Sequence, residues 1–216
     1  MTAAPEDLPE AATGPAPEPV FTVLGAEPIR SGAGPALRFL LGVEAPPEVR
    51  VRSISLVAAL RIVPARRRYD TAEAIRLTEV FGAPERWSTT MRALPWSRTS
   101  TVVGPFRGNT GAALPVACDA DAVAAQYFHA VRDGEVPLEF RFGGTLFYLG
   151  AGGALHAARL SRAGVAGFAL PAALWHAAVA GPPRRRLPRP RLHEHRARPQ
   201  RAATLDELLG RPEPPR

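Results

Sequence analysis

Three consecutive arginines, Arg66, Arg67 and Arg68, form a dense cluster of positive charge between a predicted strand and a predicted helix. Guanidinium groups beside a helix N-terminus can hold a phosphate or a carboxylate. The alternative is a solvated strand end whose arginine stems cover apolar surface, and we favour it. The triplet is therefore a candidate anion-binding site and no more.

Cys118 is the only cysteine, so no disulfide can form within the chain, which favours a cytoplasmic location. It could act as a nucleophile if His129 or His156 approached it and lowered the pKa of its thiol. However, it alternates with Leu114 and Val116, as residues on one buried strand face do. We therefore interpret Cys118 as a small core residue.

Four acidic residues bracket the second predicted helix and could supply oxygen ligands for calcium: Asp119, Asp121, Asp133 and Glu135. Helix capping and a turn explain them better. His193 and His195 are only two ligands in a polar tail, which is too few for a specific zinc site. No metal and no cofactor is predicted.

Sequence motifs of known catalytic sites are missing: there is no G-x-S-x-G elbow, no P-loop, and no G-x-G-x-x-G after a strand. The glycines at 150, 152 and 153 are better explained by a hairpin turn than by a phosphate cradle. Trp87 and Trp96 are spaced along a strand-like segment, so we expect core or half-buried packing rather than a ligand-stacking platform. These observations lean against an enzyme.

The elements that must position these residues are mostly strands, because large apolar residues recur at every second position. Strands are predicted at 20–24, 37–43, 49–62, 99–103, 112–118, 136–149, 155–160 and 165–170. In the strand at 49–62 the apolar residues change from odd to even positions near Arg52 and Ser53, which indicates a bulge. Residues 136–149 are either one long kinked strand or two strands that meet at Gly143 and Gly144.

Three segments have helical periodicity with recognisable ends. Asp70, followed by Glu73, predicts a capped helix that stops at Gly82. Asp119 or Asp121 can cap a second helix, and Pro171 suits the first turn of a third.

This pattern predicts a mostly β fold: a two-sheet antiparallel β-sandwich over residues 19–181 with about three short peripheral helices. Residues 1–18 hold four acids and no base, and residues 182–216 hold ten arginines and four acids. Both terminal segments are predicted to be disordered because they cannot bury enough apolar surface. All 27 basic residues of the chain are arginine, and the formal net charge is +7.

The C-terminal tail has the most suggestive local pattern. Eight arginines and five prolines between 182 and 202 form an extended basic tether that begins with Arg184, Arg185 and Arg186. Residues 204–210 then match a short capped helix with one apolar face, formed by Leu205, Leu208 and Leu209. We predict that the tail docks onto another protein. Non-specific nucleic-acid binding is the alternative, and nothing predicts a membrane span.

Several phrases together resemble an uncharacterised actinobacterial family of unknown function over about residues 19–180. They are Arg67-Arg68-Tyr69, LTEVFGAPERW at 77–87, Val116–Asp119, Tyr127-Phe128 and DGEVPLEFRFGGTLF at 133–147. The resemblance implies no activity and no catalytic residues. It also implies genes near those of nickel-iron hydrogenases, and hence an accessory role in assembly or scaffolding.

The sequence thus favours a non-enzymatic interaction or accessory module whose basic tail recruits a partner. The alternative is a small-ligand protein or an enzyme with a site in the sandwich loops, built from Arg66 to Tyr69, Trp87, and Asp119 or Asp133. An enclosed pocket with converging polar groups would favour that alternative.

Overall fold

Eight β-strands form two antiparallel sheets in the computed structural model, which describes residues 16–32, 34–160 and 164–181. The strands are β1 (Val20–Ser31), β2 (Gly34–Glu44), β3 (Arg50–Ile62), β4 (Leu94–Val103), β5 (Asn109–Ala117), β6 (Glu135–Leu149), β7 (Leu155–Leu160) and β8 (Val165–Pro171). This confirms the predicted mostly β fold with two antiparallel sheets. β1, β2 and β4 are longer than predicted.

The first sheet has the order β1-β2-β5, and the second has the order β4-β3-β6-β7 with β8 also paired to β6. On the side away from β3, β6 accommodates two partners because it is 15 residues long. Its first half, Glu135–Arg141, pairs with β8, and its second half, Gly144–Leu149, pairs with β7. The second sheet is therefore built around β3 and β6.

The core lies between the two sheets, where alternate residues of each strand point inward. In β3 the inward residues are the fully or almost fully buried Ile54, Leu56, Ala58, Leu60 and Ile62. Across the interface, Phe39 of β2 meets Phe140 of β6 edge to face, with ring centroids 5.0 Å apart. Burying such side chains stabilises the fold by about 1.5 to 3 kcal/mol each.

Four helices lie among the described residues: α1 (Thr71–Phe81), α2 (Trp87–Thr90), α3 (Ala122–Ala130) and α4 (Ala172–Ala180). The predicted capping of α1 is confirmed, because Asp70 accepts from the Glu73 backbone N–H and Glu73 reaches back to the Asp70 N–H. Of the two predicted caps for α3, Asp121 is the residue used, and its side chain accepts from the Ala124 N–H at 2.9 Å. α4 begins directly after Pro171.

The strand-like interpretation of Trp87 is wrong, because this residue begins α2. Pro84 starts a short 3-10 turn over Pro84–Arg86, and the chain continues from that turn into α2 rather than into an extended strand. Trp87 is half-buried and packs edge to face on Tyr69 at 5.5 Å. Trp96 lies on β4, is 1% exposed and contacts Phe128, so its predicted core position is confirmed.

The predicted bulge in β3 is confirmed by a register shift between Val51 and Ser53 where β3 pairs with β6. Residues 136–149 form one strand, not two, with Gly144 at its centre. Gly144 has φ +134°, and a Cβ at this position would lie 1.9 Å from the Ser55 carbonyl oxygen. Only glycine permits this close pairing of β3 with β6.

None of the helices in the described ranges has the length and hydropathy that crossing a bilayer requires. The predicted terminal segments, apart from residues 16–18, lie outside the described residues, as do the tail positions Arg184, Arg185, Arg186, Leu205, Leu208 and Leu209. Their proposed disorder and docking role stay predictions.

Candidate functional site

The face of the second sheet that points away from the core carries a row of arginines. In β3 the residues between the buried ones, Val57, Ala59 and Arg61, point to this face. The strand register places Ala59 between Arg98 of β4 and Arg141 of β6. A small residue is thus flanked by two long cationic side chains.

A continuous groove runs over this face. Its two parts have volumes of about 490 Å³ and 690 Å³ and share Ala59, Arg98 and Arg141. We call it the arginine groove and define it by a floor of small residues and four basic side chains: Val57, Ala59, Gly143, Arg61, Arg98, Arg141 and Arg159.

Glu139 fixes two of these arginines in place. Its Oε1 accepts from Arg61 Nε at 2.9 Å and from Arg141 Nε at 3.2 Å, and Arg66 lies 3.7 Å from Oε2. The Glu139 side chain is only 7% exposed. Burial alone would raise its pKa, but the hydrogen bonds and charges of Arg141 and Arg61 lower the pKa below its usual value. Glu139 is therefore a fixed anion beneath the groove.

The positive charge of the arginine groove exceeds its negative charge. Within the described ranges, no carboxylate forms an ion pair with Arg98 or Arg159. Asp121 also lines the groove, but its carboxylate already caps α3. Arg98, Arg141 and Arg159 are exposed. The arrangement can bind an anionic group by charge-assisted hydrogen bonds.

Trp96 lines the end of the groove next to β4. Its indole Nε1 is buried, and no described residue accepts a hydrogen bond from it.

The predicted anion site at Arg66, Arg67 and Arg68 separates into different environments. Arg67 is 12% exposed, pairs with Glu73, and donates to the carbonyl oxygens of Asp133 at 2.8 Å and Glu135 at 2.9 Å. Arg66 and Arg68 are exposed. Arg67 thus connects the start of α1 to the start of β6. Arg66 instead lies next to the Glu139 carboxylate.

Within the alternative loop site, Arg67 donates to the Asp133 carbonyl oxygen and Tyr69 packs on Trp87. Tyr127 and Tyr69 share a hydrogen bond of 2.8 Å between their hydroxyl groups, and Tyr69 also donates to the Pro64 carbonyl oxygen. Burial raises the pKa of Tyr127 to about 12 and raises that of Tyr69 further. Trp87 covers Tyr69. This cluster holds α1 and α3 together.

Cys118 is fully buried, as predicted for a core residue. Burial, with a smaller effect from the Asp119 charge, raises the pKa of its thiol to about 11. A nucleophilic cysteine requires the opposite shift.

The candidate calcium ligands have other contacts: Asp121 caps α3, and the backbone carbonyls of Asp133 and Glu135 accept hydrogen bonds from Arg67. In the described part of the chain, no group of three or more His, Cys, Asp or Glu side chains is placed to hold a metal ion. Gly150, Gly152 and Gly153 lie in the turn between β6 and β7, as expected for a hairpin.

Sequence reasoning missed the arginine groove because its residues come from four strands. A partial signal exists, since Arg61 and Arg141 fall between the buried residues of their strands. Which outward residues become neighbours depends on strand order and register. Neither can be read from the alternation alone.

One family model, described as a family of unknown function (DUF6084), matches residues 16–182. No curated protein matches the chain. The matched region includes both sheets and all four arginines of the groove. The match confirms the resemblance to a family of unknown function, whereas the actinobacterial origin stays a prediction.

Proposed function

This chain belongs to DUF6084, a family of unknown function, and we propose that it is a non-enzymatic binding module whose arginine groove holds an acidic segment of another protein. The observation that carries the proposal is the set of four arginines on one exposed sheet face. Two of them are held by Glu139, and two have no ion pair with a described residue.

The fixed positions of Arg61 and Arg141 support binding rather than simple solvation. A free arginine side chain loses rotamer entropy when it binds a ligand. Glu139 already orients both guanidinium groups, through Nε and Nη2 of Arg61 and through Nε of Arg141. Because one carboxylate serves two guanidiniums, their remaining N–H groups can donate to an incoming anion. Part of the rotamer entropy of these two arginines is therefore lost before the ligand binds.

The spread of the arginines favours an extended polypeptide over a single small anion. Arg159 is opposite Thr145, which in turn is opposite Ser55 of β3. Ser55 and Arg61 are six residues apart on β3, a distance of about 20 Å along the strand. An extended acidic segment of about six residues has this length. The small floor residues let its backbone approach the sheet.

The predicted role of the C-terminal tail in recruiting a partner rests on the sequence alone. Its ten arginines would add to the attraction of an acidic partner without fixing its position. The experiment below therefore leaves the tail unchanged in every variant.

Charge reversal at two groove arginines tests the proposal. In the full chain, Arg98→Glu with Arg159→Glu should weaken binding of a fluorescent, glutamate-rich eight-residue peptide at least about tenfold, because two charge-assisted contacts become repulsive. The measurement is fluorescence anisotropy at fixed ionic strength. A peptide with every glutamate replaced by glutamine should bind weakly to all variants.

A matched control changes the net charge by the same amount elsewhere. Arg107 and Arg132 are exposed and lie outside the groove. Arg107→Glu with Arg132→Glu should leave peptide affinity within about threefold of the parent. An equal loss of peptide affinity in both double variants would show that only the overall charge matters, and it would overturn the proposal. Tighter binding of a single-stranded oligonucleotide than of the peptide would also contradict it.

A further inference from the structure

The chain contains an acidic segment of its own before the first strand. Residues 1–15 include Glu6, Asp7 and Glu10 and no basic residue. They lie outside the described residues, and the first described strand follows a few positions later, at Val20. This segment has the charge that the proposed function requires of a partner.

The chain enters the domain close to the groove. Pro19 is buried, and the Phe21 ring packs on Phe142 with centroids 4.9 Å apart. Phe142 is also one of the residues that line the groove, beside Gly143 and Gly144. The entry point is therefore in the first sheet and faces the core side of β6, whose other face carries the groove.

The length of the segment is sufficient to pass around the edge of the sheet. Eleven residues separate Glu10 from Phe21, and an extended chain of that length spans up to about 36 Å. Prolines at 15 and 17 favour an extended connection over a helix. Glu6, Asp7 and Glu10 can therefore reach Arg141 and Arg159.

We propose that residues 1–15 occupy the arginine groove of their own molecule and compete there with the acidic partner. This inference rests on the proposed function of the groove. Tethering gives the segment an effective concentration on the order of millimolar, so weak contacts are enough for substantial occupancy. A partner must then displace the segment, which weakens its apparent affinity.

Neutralising the segment in the full chain tests the competition. Glu6→Gln, Asp7→Asn and Glu10→Gln together should strengthen binding of the fluorescent glutamate-rich peptide about tenfold. The matched control neutralises three exposed acids on the folded domain, with Glu44→Gln, Glu48→Gln and Glu85→Gln, and should leave the affinity within about twofold of the parent. Equal strengthening in both triple variants would overturn the inference.

A distance measurement tests the contact without any peptide. Because Cys118 is buried, a thiol-reactive spin label will react selectively with the cysteine introduced by Ala4→Cys. The label should broaden the amide NMR signals of Arg141 and Gly143, and the broadening should disappear in the variant with Arg98→Glu and Arg159→Glu. Peptide binding without broadening would refute the inference and leave the proposed function standing. Broadening without peptide binding to any variant would refute the proposed function instead.

Discussion

Cys118 lies directly after β5, where its backbone carbonyl accepts a hydrogen bond from Trp175 Nε1 at 3.3 Å. The thiol is fully buried and its pKa is raised to about 11. Alternation with Leu114 and Val116 was enough to predict this position. Burial removes the thiol from reagents, and the high pKa keeps it protonated at neutral pH.

We expect the native protein to react with an aromatic disulfide reagent at neutral pH at least about a hundredfold more slowly than the urea-unfolded chain, because only the exposed thiolate is nucleophilic. Stopped-flow absorbance of the released thiolate measures both rates. Comparable rates in the two states would show that Cys118 is accessible in the fold.

Glu139 could not have been identified in the same way. It shares a strand face with Arg141, and two polar residues at alternate positions indicate an exposed face. Its main partner, Arg61, is 78 positions away in sequence. Only the register between β3 and β6 shows that the arginines cover the carboxylate.

Replacement of Glu139 by glutamine should lower the free energy of unfolding by about 1 to 3 kcal/mol at neutral pH, because two guanidiniums lose a charged acceptor. The folded-state pKa of Glu139 is lowered. The contribution of this carboxylate is therefore fully present above the ordinary glutamate pKa and is lost as the pH falls through the lowered value. Urea unfolding followed across this pH range measures it.

The variant should accordingly lose less stability than the parent on acidification. Glu135→Gln is the matched control, because Glu135 lies on the same face of β6 and is exposed. It should change stability by less than about 0.5 kcal/mol. If both glutamine variants unfolded alike at every pH, the ion pairs beneath the groove would not contribute to stability.

At the scale of elements, Gly143 and Gly144 are adjacent in β6 yet have different constraints. Gly144 has a positive φ and faces the Ser55 carbonyl at close range, whereas a Cβ on Gly143 would meet nothing within 4 Å. The sequence indicated a kink or a break at this pair. It could not show which glycine the strand pairing requires.

Gly144→Ala should reduce the free energy of unfolding by at least about 2 kcal/mol, since the new Cβ forces β3 and β6 apart at a backbone angle unfavourable for alanine. Gly143→Ala should change it by less than about 1 kcal/mol. Thermal and urea unfolding by circular dichroism distinguish the two. Equal effects would contradict the close approach at Gly144.

The elements that differ from the sequence prediction do so for two opposite physical reasons. β1 continues past its predicted end at Leu24 because a bulge there restores the pairing with β2, and Gly25 and Pro28 are accommodated within the strand. Strand pairing overrides the local preference of these residues. In α2 the local sequence decides instead, because the turn that begins at Pro84 directs the chain into a helix.

At the scale of the whole molecule, the two-sheet architecture was predictable because alternation fixes which side of each strand is buried. The helix positions followed from capping residues such as Asp70 and Asp121. The arginine groove depends on a different kind of information, namely which strands are neighbours and in what register. That information resides in long-range pairing and is not present in any local window of sequence.

The position of β7 at one end of the second sheet has a consequence for self-association. The strand at the other end, β4, contacts the first sheet, where Thr99 Oγ1 donates to the Pro115 carbonyl oxygen. β7 is short, with six residues, and carries Arg159. Short length and charge are features by which terminal strands resist edge-to-edge aggregation into fibres. Under the proposed function, Arg159 would therefore link acidic-ligand binding to colloidal stability, because an acidic ligand that neutralised it would also remove part of this protection.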